Sequence, residues 1–469
     1  MAKTIRLPAD QHAVFATGLD QIRAENKVPT SFPADVLAAA DAAAHKSFSA
    51  EHVDRTDVAF VTLDPLSSTD LDQAFALDAG ATPDSDMILR YAIADVPWFV
   101  QPGDVLDTEA WRRGLTLYLP DGRAGLYPPA LSEGAASLLP DGPRPAVVFV
   151  VRVDAAGDAV LDGVERAVIR SRAKLGYETA TAADLPAGFE AFAARIEAAE
   201  DRRGASRFEP PEQEVQPDGS GGYALVLRPR ASNEDANAAL SLATNLAVAD
   251  ALFAAKTGLF RVMPEPDERA VRRLRFTATA LDLHWPDEVE LRVFQRSLDG
   301  NDPRQAAFLI AVRRATGGAD YAPFADGVTP WHAAMAATYC HTTAPLRRLA
   351  DRYVVEAALA VANGRAVPDH VQQGFALLPD VMNTAEARSS RVERAAIDLV
   401  ESVVLHGHEG ETFAAVVTDV DDRGARIQLS DPPVVARVAA HRVEPGDTFA
   451  VRLVAADPLK RQISFERVN

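Results

Sequence analysis

Apolar positions fall into three regimes along the chain. Residues 1–50 read as short helices, and FPADVLAAADAAAHKSF is Ala-rich with a helical start at Pro33. From Phe60 the pattern changes to strands. AFVTL, AFAL, ILRYAIA and AVVFVVRV are β-branched or alternating runs separated by Gly, Pro and Asp. Residues 185–205 predict a helix. RFEPPEQEVQPDGSGGYALVLRP predicts a hairpin, because DGSGG is a strong turn signal. From Asn233 to about Val400 the chain reads as mostly helical, with breaks at Pro and Gly clusters. After His408, TFAAVVTDV, ARIQL, VVARV, TFAVRLVAAD and QISFERV are five short strands at turn-punctuated spacing. Five such strands in a terminal module point to a small barrel, with the OB fold as first candidate. The expected class is α+β. It comprises a small helical N-terminal domain over residues 1–50, helix-turn-helix-like, a large central domain over residues 51–404, and a five-stranded OB-fold β-barrel over residues 405–469.

Composition narrows this picture. At 469 residues, 48% of them hydrophobic, the chain has enough apolar side chains for at least one large core. No window reads as long and apolar enough to span a bilayer, and MAKTIRLPAD lacks the apolar run of a signal peptide. The single cysteine, Cys340, excludes an internal disulfide framework and any cysteine-rich zinc module. These features predict a cytoplasmic protein without a membrane partner; a monomer is the expected state, though no feature of the sequence fixes it. The net charge of −19 argues at first against a nucleic-acid ligand. Net charge, however, does not fix the sign of a particular cleft. The cations are nearly all Arg, with Lys only at positions 3, 27, 46, 174, 256 and 460. Arg suits bidentate phosphate contacts better than Lys does.

The segment richest in chemistry is FVTLDPLSSTDLDQAFAL. An apolar strand ends at Asp64, a polar loop follows, and Asp70 and Asp72 sit two apart before the next apolar strand. If that part is extended, Asp70 and Asp72 share a face and three carboxylates converge. Hard cations such as Mg²⁺ bind a few carboxylates together with waters and phosphate oxygens, and phosphodiester hydrolysis often uses such ions. On spacing alone a solvated turn is the competing explanation.

This segment resembles the aspartate-rich signature of the ribonuclease II family catalytic domain, of RNB type. The likeness continues through YAIADVPWFVQPGDVLDTEAWRRGLTLYLPDGRAGLYPPALSEGAASLLP, SRAKLGYE, ATNLAVA and YCHTTAPLRRLADRYV. It covers roughly residues 52–402, and the C-terminal barrel resembles the S-one type RNA-binding domain of that family. The resemblance implies a hydrolytic 3′-to-5′ exoribonuclease, processive on single-stranded RNA. It would release nucleoside 5′-monophosphates and use Mg²⁺ or Mn²⁺. Asp64, Asp70 and Asp72 match three of four acidic positions, and the fourth is Gln73 here. A Gln carbonyl still ligates a hard cation, without charge, so weaker metal binding is expected. By the same resemblance Asp72 is the residue whose loss abolishes cleavage.

In HTTAPLRRLADRYVVEAALA, Pro345 predicts a first helical turn carrying Arg347 and Arg348. Guanidinium groups at a helix N-terminus make a phosphate site. The plain alternative is an Arg347–Asp351 surface pair worth a few tenths of a kcal/mol. The resemblance makes Arg347 the arginine that faces the scissile phosphate. In EARSSRVERAAIDLVES, Arg388, Arg391 and Arg394 recur at three-residue spacing as a basic stripe. Glu393 matches a family acidic residue near the 3′-terminal nucleotides. Tyr118 and Phe208 match the pair of aromatics that clamps terminal nucleotides, and Tyr177 matches a further aromatic contact. Stacking of this kind tolerates any base. HGHEG reads as loop, PDGRAG does not make a dinucleotide fingerprint, and Cys340 beside His341 reads as packing. Two rival classes stand beside the nuclease. One is an RNA-binding protein disarmed at Gln73; the other is a metal-dependent phosphodiesterase for small molecules.

Overall fold

The computed structural model describes residues 3–7, 11–82, 84–205, 212–217, 223–228, 231–299, 302–315, 317–421, 424–430, 434–440 and 442–468. The apolar runs after Phe60 become a seven-stranded sheet. Its order is Ser171–Gly176, Phe60–Asp64, Gln73–Asp78, Met87–Ala94, Arg144–Val153, Ala159–Ile169 and Val53–Asp54. Both edge strands pair in parallel and the interior is antiparallel. In Arg144–Val153, residues 145–149 are all buried, so both faces of that strand are covered. This accounts for a continuous apolar run where a one-faced strand would alternate. The helices Ser232–Ala254 and Leu349–Ala362 pack against the sheet. The predicted helix at 185–205 is Phe189–Arg203.

Ser232–Ala254 corrects the expectation about membrane-spanning windows. Its 23 residues are long and apolar enough by length and composition to cross a bilayer. Its apolar side chains, among them Leu240, Val248 and Leu252, are buried in the protein core.

The N-terminal region is not wholly helical. The helices His12–Glu25 and Ala34–Ala44 are present, but Lys3–Arg6 is a strand. It pairs antiparallel with Tyr223–Arg228, the second strand of the hairpin whose first strand is Glu212–Pro217. A pairing that bridges more than 200 positions leaves no local signal in the sequence. Among its described residues, the stretch from Asn233 to Val400 also holds four short strands, Leu259–Val262, Asp320–Pro323, Trp331–His332 and Ala337–Thr338. Between them the helices Glu268–Ala280, Leu291–Arg296 and Pro303–Ala315 enclose a separate small core. Trp285 stacks on Phe294 there at 5.0 Å, beside Leu274 and Phe308. The helix Asp369–Leu405 follows, with Pro379 inside it.

The last five strands are antiparallel in the order Val435–Val438, Gly424–Leu429, Thr412–Asp421, Thr448–Asp457 and Gln462–Arg467. The first and last of this order touch, so the sheet nearly closes into the expected OB-like barrel.

One glycine fixes the architecture around the site. Gly114 ends the helix Val105–Arg113 at φ +75°, and a Cβ there would lie 2.6 Å from the Ala385 Cβ. A side chain would be strained by the backbone angle and blocked by the long helix. The residues after it run alongside the segment before Leu349–Ala362. The Leu349 N–H donates to the Gly114 carbonyl at 3.0 Å and the Thr116 N–H to the Arg347 carbonyl at 3.0 Å. Leu115 and Arg348 form an antiparallel bridge.

Candidate active site

The strand Phe60–Asp64 is buried up to its last residue, and Asp64 emerges at its end. The loop that follows is stapled by backbone bonds. Leu71 is fully buried, its N–H donates to Ser137 Oγ at 2.9 Å, and its carbonyl accepts the Leu138 N–H at 3.0 Å. The Asp72 carbonyl accepts the Ala94 N–H at 2.9 Å. Asp70 and Asp72 therefore do not belong to a strand, yet their carboxylates and that of Asp64 line one cavity of about 1000 Å³. Gln73, Tyr118, Tyr177 and Arg347 line it too. Six of the residues proposed from sequence, separated by up to 283 positions, are thus brought together with Asp64.

Asp72 is the most buried carboxylate of the three, at 5% exposure. Its Oδ1 accepts the Leu346 N–H at 2.7 Å, and its Oδ2 lies 3.3 Å from Arg347 Nε. Burial pushes its carboxyl up to about 8, against the pull of the Arg347 guanidinium. Burial likewise pushes Asp64 up to about 7, again opposed by Arg347, with the Asp70 charge adding to the rise. Asp70 is engaged differently. Arg123 Nη1 donates to its Oδ1 at 2.5 Å and the Tyr118 hydroxyl to its Oδ2 at 3.2 Å.

Pro345 opens a single helical turn that is not continued. The Ala344 carbonyl accepts the Arg347 N–H at 3.2 Å and the Arg348 N–H at 2.9 Å, so Arg347 lies in that turn, but Arg348 is extended, with φ/ψ of −131° and 122°, and the long helix begins only at Leu349. The bonds from 114–116 hold this segment off the helical path. Arg347 faces Asp72 rather than Asp351, and its side chain is 46% exposed toward the cavity. Arg348 is not among the cavity's lining residues. It grips buried Asp351 in a bidentate pair at 2.9 and 2.8 Å, so the phosphate role expected for it has no support in its placement. Leu349, Ala350, Tyr353 and Ala357 are buried as the helical spacing predicts, and Leu346 is buried in the turn before the helix; Asp351, Arg352, Val354 and Val355 are buried as well, so the helix is covered on more than that one face.

Gln73 takes a job the sequence did not suggest. Its Nε2 donates to the Thr343 carbonyl at 2.7 Å. Its Oε1 accepts from the Tyr91 hydroxyl and, at 3.3 Å, from Ser241 Oγ. The Ser241 hydroxyl has a single proton and lies nearer the Tyr91 hydroxyl, at 2.7 Å, so the carbonyl expected to ligate metal is engaged chiefly by Tyr91. Gln73 acts as a cross-brace between the sheet, the helix Ser232–Ala254 and the segment that leads to Arg347.

Tyr118 stands at the rim, 50% exposed, and Tyr177 lies further in, its hydroxyl accepting from Asn237 Nδ2 at 3.2 Å. Phe208 lies outside the described residues. Arg391 and Glu393 are exposed on the helix Asp369–Leu405 and are not among the cavity's lining residues. Arg123, Glu133 and Tyr223 line the cavity and were missed. Arg123 sits in PDGRAG, a segment weighed only as a glycine motif. The short strands Leu117–Leu119 and Gly122–Ala124 around its turn were the available signal. The segments set aside are as expected: Cys340 is fully buried with its thiol pushed up to about 12 by burial, and residues 406–410 include the loop that joins helix to barrel.

Among the described residues no three His, Cys, Asp or Glu side chains are close enough together to hold a metal ion as they stand. The donor chemistry nevertheless fits a hard divalent cation. Asp64 and Asp72 offer carboxylate oxygens in a buried setting, and both lean on one guanidinium, that of Arg347.

An RNB domain is matched over residues 52–362 and an RNase II-type exonuclease C-terminal S1 domain over residues 411–468. Ribonuclease R of Aquifex aeolicus is 27% identical over 502 aligned positions, covering 96% of this chain and 70% of that protein. Ribonuclease R of Thermotoga maritima is 24% identical over 494 positions, covering 94% and 69%. Among solved structures, Mycoplasma genitalium RNase R in complex with ribose methylated single-stranded RNA has the same fold. It superposes with a TM-score of 0.84 at 21% identity, over 97% of this chain and 78% of that one. Yeast Ssd1, a pseudonuclease, superposes with a TM-score of 0.69 at 15% identity, over 90% and 55%. The chain belongs to the RNB-domain family of exoribonucleases and carries that family's RNase II-type S1 domain over residues 411–468.

Proposed function

We propose that this chain shortens single-stranded RNA from its 3′ end by metal-dependent hydrolysis, processively, releasing nucleoside 5′-monophosphates. The observation that carries the reading is the convergence of Asp64, Asp70, Asp72, Arg347 and Tyr118 on one cavity of about 1000 Å³. Mg²⁺ or Mn²⁺, when bound, would supply positive charge for the phosphate oxygens and lower the pKa of a bound water. Asp64 and Asp72 would hold it, joined by Asp70.

The chain's own residues divide the remaining work. Arg347 presents a half-exposed guanidinium at the cavity, suited to bidentate contact with a phosphate and to charge that builds in the transition state. The Asp72 carboxylate fixes that guanidinium from behind while the Leu346 N–H fixes the carboxylate. Tyr118 offers a stacking face at the rim and Tyr177 a second one inside, a sequence-tolerant grip on single-stranded bases. The barrel over residues 411–468 matches a domain type that extends the hold on the strand.

The alternative is an RNA-binding protein without cleavage. It is favoured by one observation, the Gln73 amide engaged as a brace, and it has a precedent in the pseudonuclease fold neighbour. The test is a 5′-labelled unstructured RNA incubated with protein and Mg²⁺, with EDTA, and with the Asp72→Asn variant, beside the matching DNA. Shortening of RNA alone to a short limit product, stopped by EDTA and by Asp72→Asn, supports the nuclease. Bound but intact RNA sinks it in favour of the binding protein.

A further inference from the structure

The rim hairpin places a guanidinium inside the carboxylate cluster. Tyr118 and Arg123 are direct cross-strand partners, and both reach Asp70, one to each oxygen. Arg123 is also held from its other side. Its Nη2 donates to Thr69 Oγ1 at 2.7 Å and lies 2.8 Å from Glu133 Oε1, and its Nε donates to Glu133 Oε1 at 3.2 Å. The Thr69 hydroxyl in turn donates to Glu133 Oε2 at 3.0 Å. The Arg123 side chain is 24% exposed and that of Asp70 is 11% exposed, so this is not a solvated surface pair.

A carboxylate with a guanidinium on one oxygen and a phenol on the other has part of its charge and part of its lone-pair capacity already taken. A cation that takes Asp70 competes with Arg123 for the same charge, and a guanidinium that gives way must keep a partner, since a stranded charge in a partly buried site is costly. Glu133 and Thr69 are placed to be that partner without any movement of the hairpin backbone.

We propose that Arg123 is a built-in counter-cation that holds Asp70 in reserve, competes with the divalent ion for it, and so sets how tightly this chain binds metal. Arg123 is then a positioning residue: it acts on the site through Asp70. The inference rests on the cation reading of Asp64, Asp70 and Asp72 given above.

The test is calorimetric titration of Mn²⁺ into metal-free full-length protein, comparing the unmodified chain with Arg123→Gln and Arg123→Lys. Losing a charge-assisted competitor should tighten Mn²⁺ binding on the order of tenfold in Arg123→Gln. Arg123→Lys keeps the charge but loses the fork that spans Asp70 and Glu133, so its affinity should fall between the two. If Arg123→Gln does not fold, a roughly threefold gain in Arg123→Lys carries the same test. Unchanged or weaker binding in the variants, with measurable binding in the unmodified chain, overturns the role of Arg123 and leaves the cation reading standing. No Mn²⁺ binding by folded unmodified protein overturns the cation reading and this inference with it. A merely structural Arg123 would shift thermal stability without tightening Mn²⁺ binding.

Discussion

Asp72 faces two ways at once: one oxygen takes the Leu346 amide at 2.7 Å and the other lies 3.3 Å from Arg347 Nε. The same carboxylate therefore shapes the turn that carries the arginine and aims its guanidinium. Asp72→Asn keeps an acceptor for the amide and loses the charge. Cleavage should fall by at least about a thousandfold, in the range of a lost transition-state contact plus a lost metal ligand. Affinity for RNA should change by less than about threefold, because stacking and phosphate contacts elsewhere persist. Product gels and fluorescence anisotropy on the same RNA check the two halves separately.

Acidity gives a second expectation. Asp64 and Asp72 are lifted from 3.8 to about 7 and about 8 in the folded chain. Between these values and the ordinary carboxylate range, the folded state binds more protons than the unfolded state. Their contribution to stability therefore falls as pH rises from about 4 to about 8. In EDTA the melting temperature should drop between pH 6 and pH 8.5 more steeply for the unmodified chain than for Asp64→Asn or Asp72→Asn. Mg²⁺ binds the ionised forms and releases protons, so it should raise the melting temperature more at pH 8.5 than at pH 6. Equal pH slopes in the three proteins would contradict this.

Gln73 should behave as a brace. Gln73→Ala leaves the Thr343 carbonyl without its donor and should cost about 1–3 kcal/mol of stability. It should also slow cleavage about tenfold by loosening the segment that leads to Arg347. Gln73→Glu sets a carboxylate against the Thr343 carbonyl and should slow cleavage as well, even though it adds a potential metal ligand. Faster cleavage in Gln73→Glu would argue that the missing charge matters more than the brace.

Tyr118→Ala should weaken binding of short RNA by about 5- to 100-fold, the worth of one base–aromatic stack. The limit product should lengthen, because the last nucleotides would lose their platform at the rim. Tyr118→Phe keeps the ring and loses only the bond to Asp70, so it should bind short RNA nearly as well as the unmodified chain. Limit-product length against RNA affinity across the pair separates stacking from the hydroxyl.

Much of the fold was legible because local rules agree with one another in this chain. Apolar runs with Gly, Pro and Asp between them announced the sheet strands and the barrel. The spacing of Leu349, Tyr353 and Ala357 announced a buried helical face. The carboxylate loop was legible for the same reason: Asp64, Asp70 and Asp72 lie within nine residues. What stayed hidden is the part that depends on partners far away in sequence. Gln73 meets Tyr91, Ser241 and Thr343, which lie 18, 168 and 270 positions off. Arg123 meets Asp70 across 53 positions. Pro345 does open one helical turn, but backbone bonds from 114–116 hold Arg348 extended and delay the helix proper to Leu349, which nothing local in the sequence announces. The strand Lys3–Arg6 forms only because Tyr223–Arg228 is there to pair with it.

The backbone bonds between 114–116 and 347–349 have a mechanical meaning as well. They tie the strand that leads to Tyr118 to the turn that carries Arg347, which under the function proposed above are the base platform and the phosphate contact. The span from a stacked base to the phosphate beneath Arg347 is then constant, like the pitch of a gear. Under that function a strand seated there would be measured out one nucleotide per step, whatever its sequence.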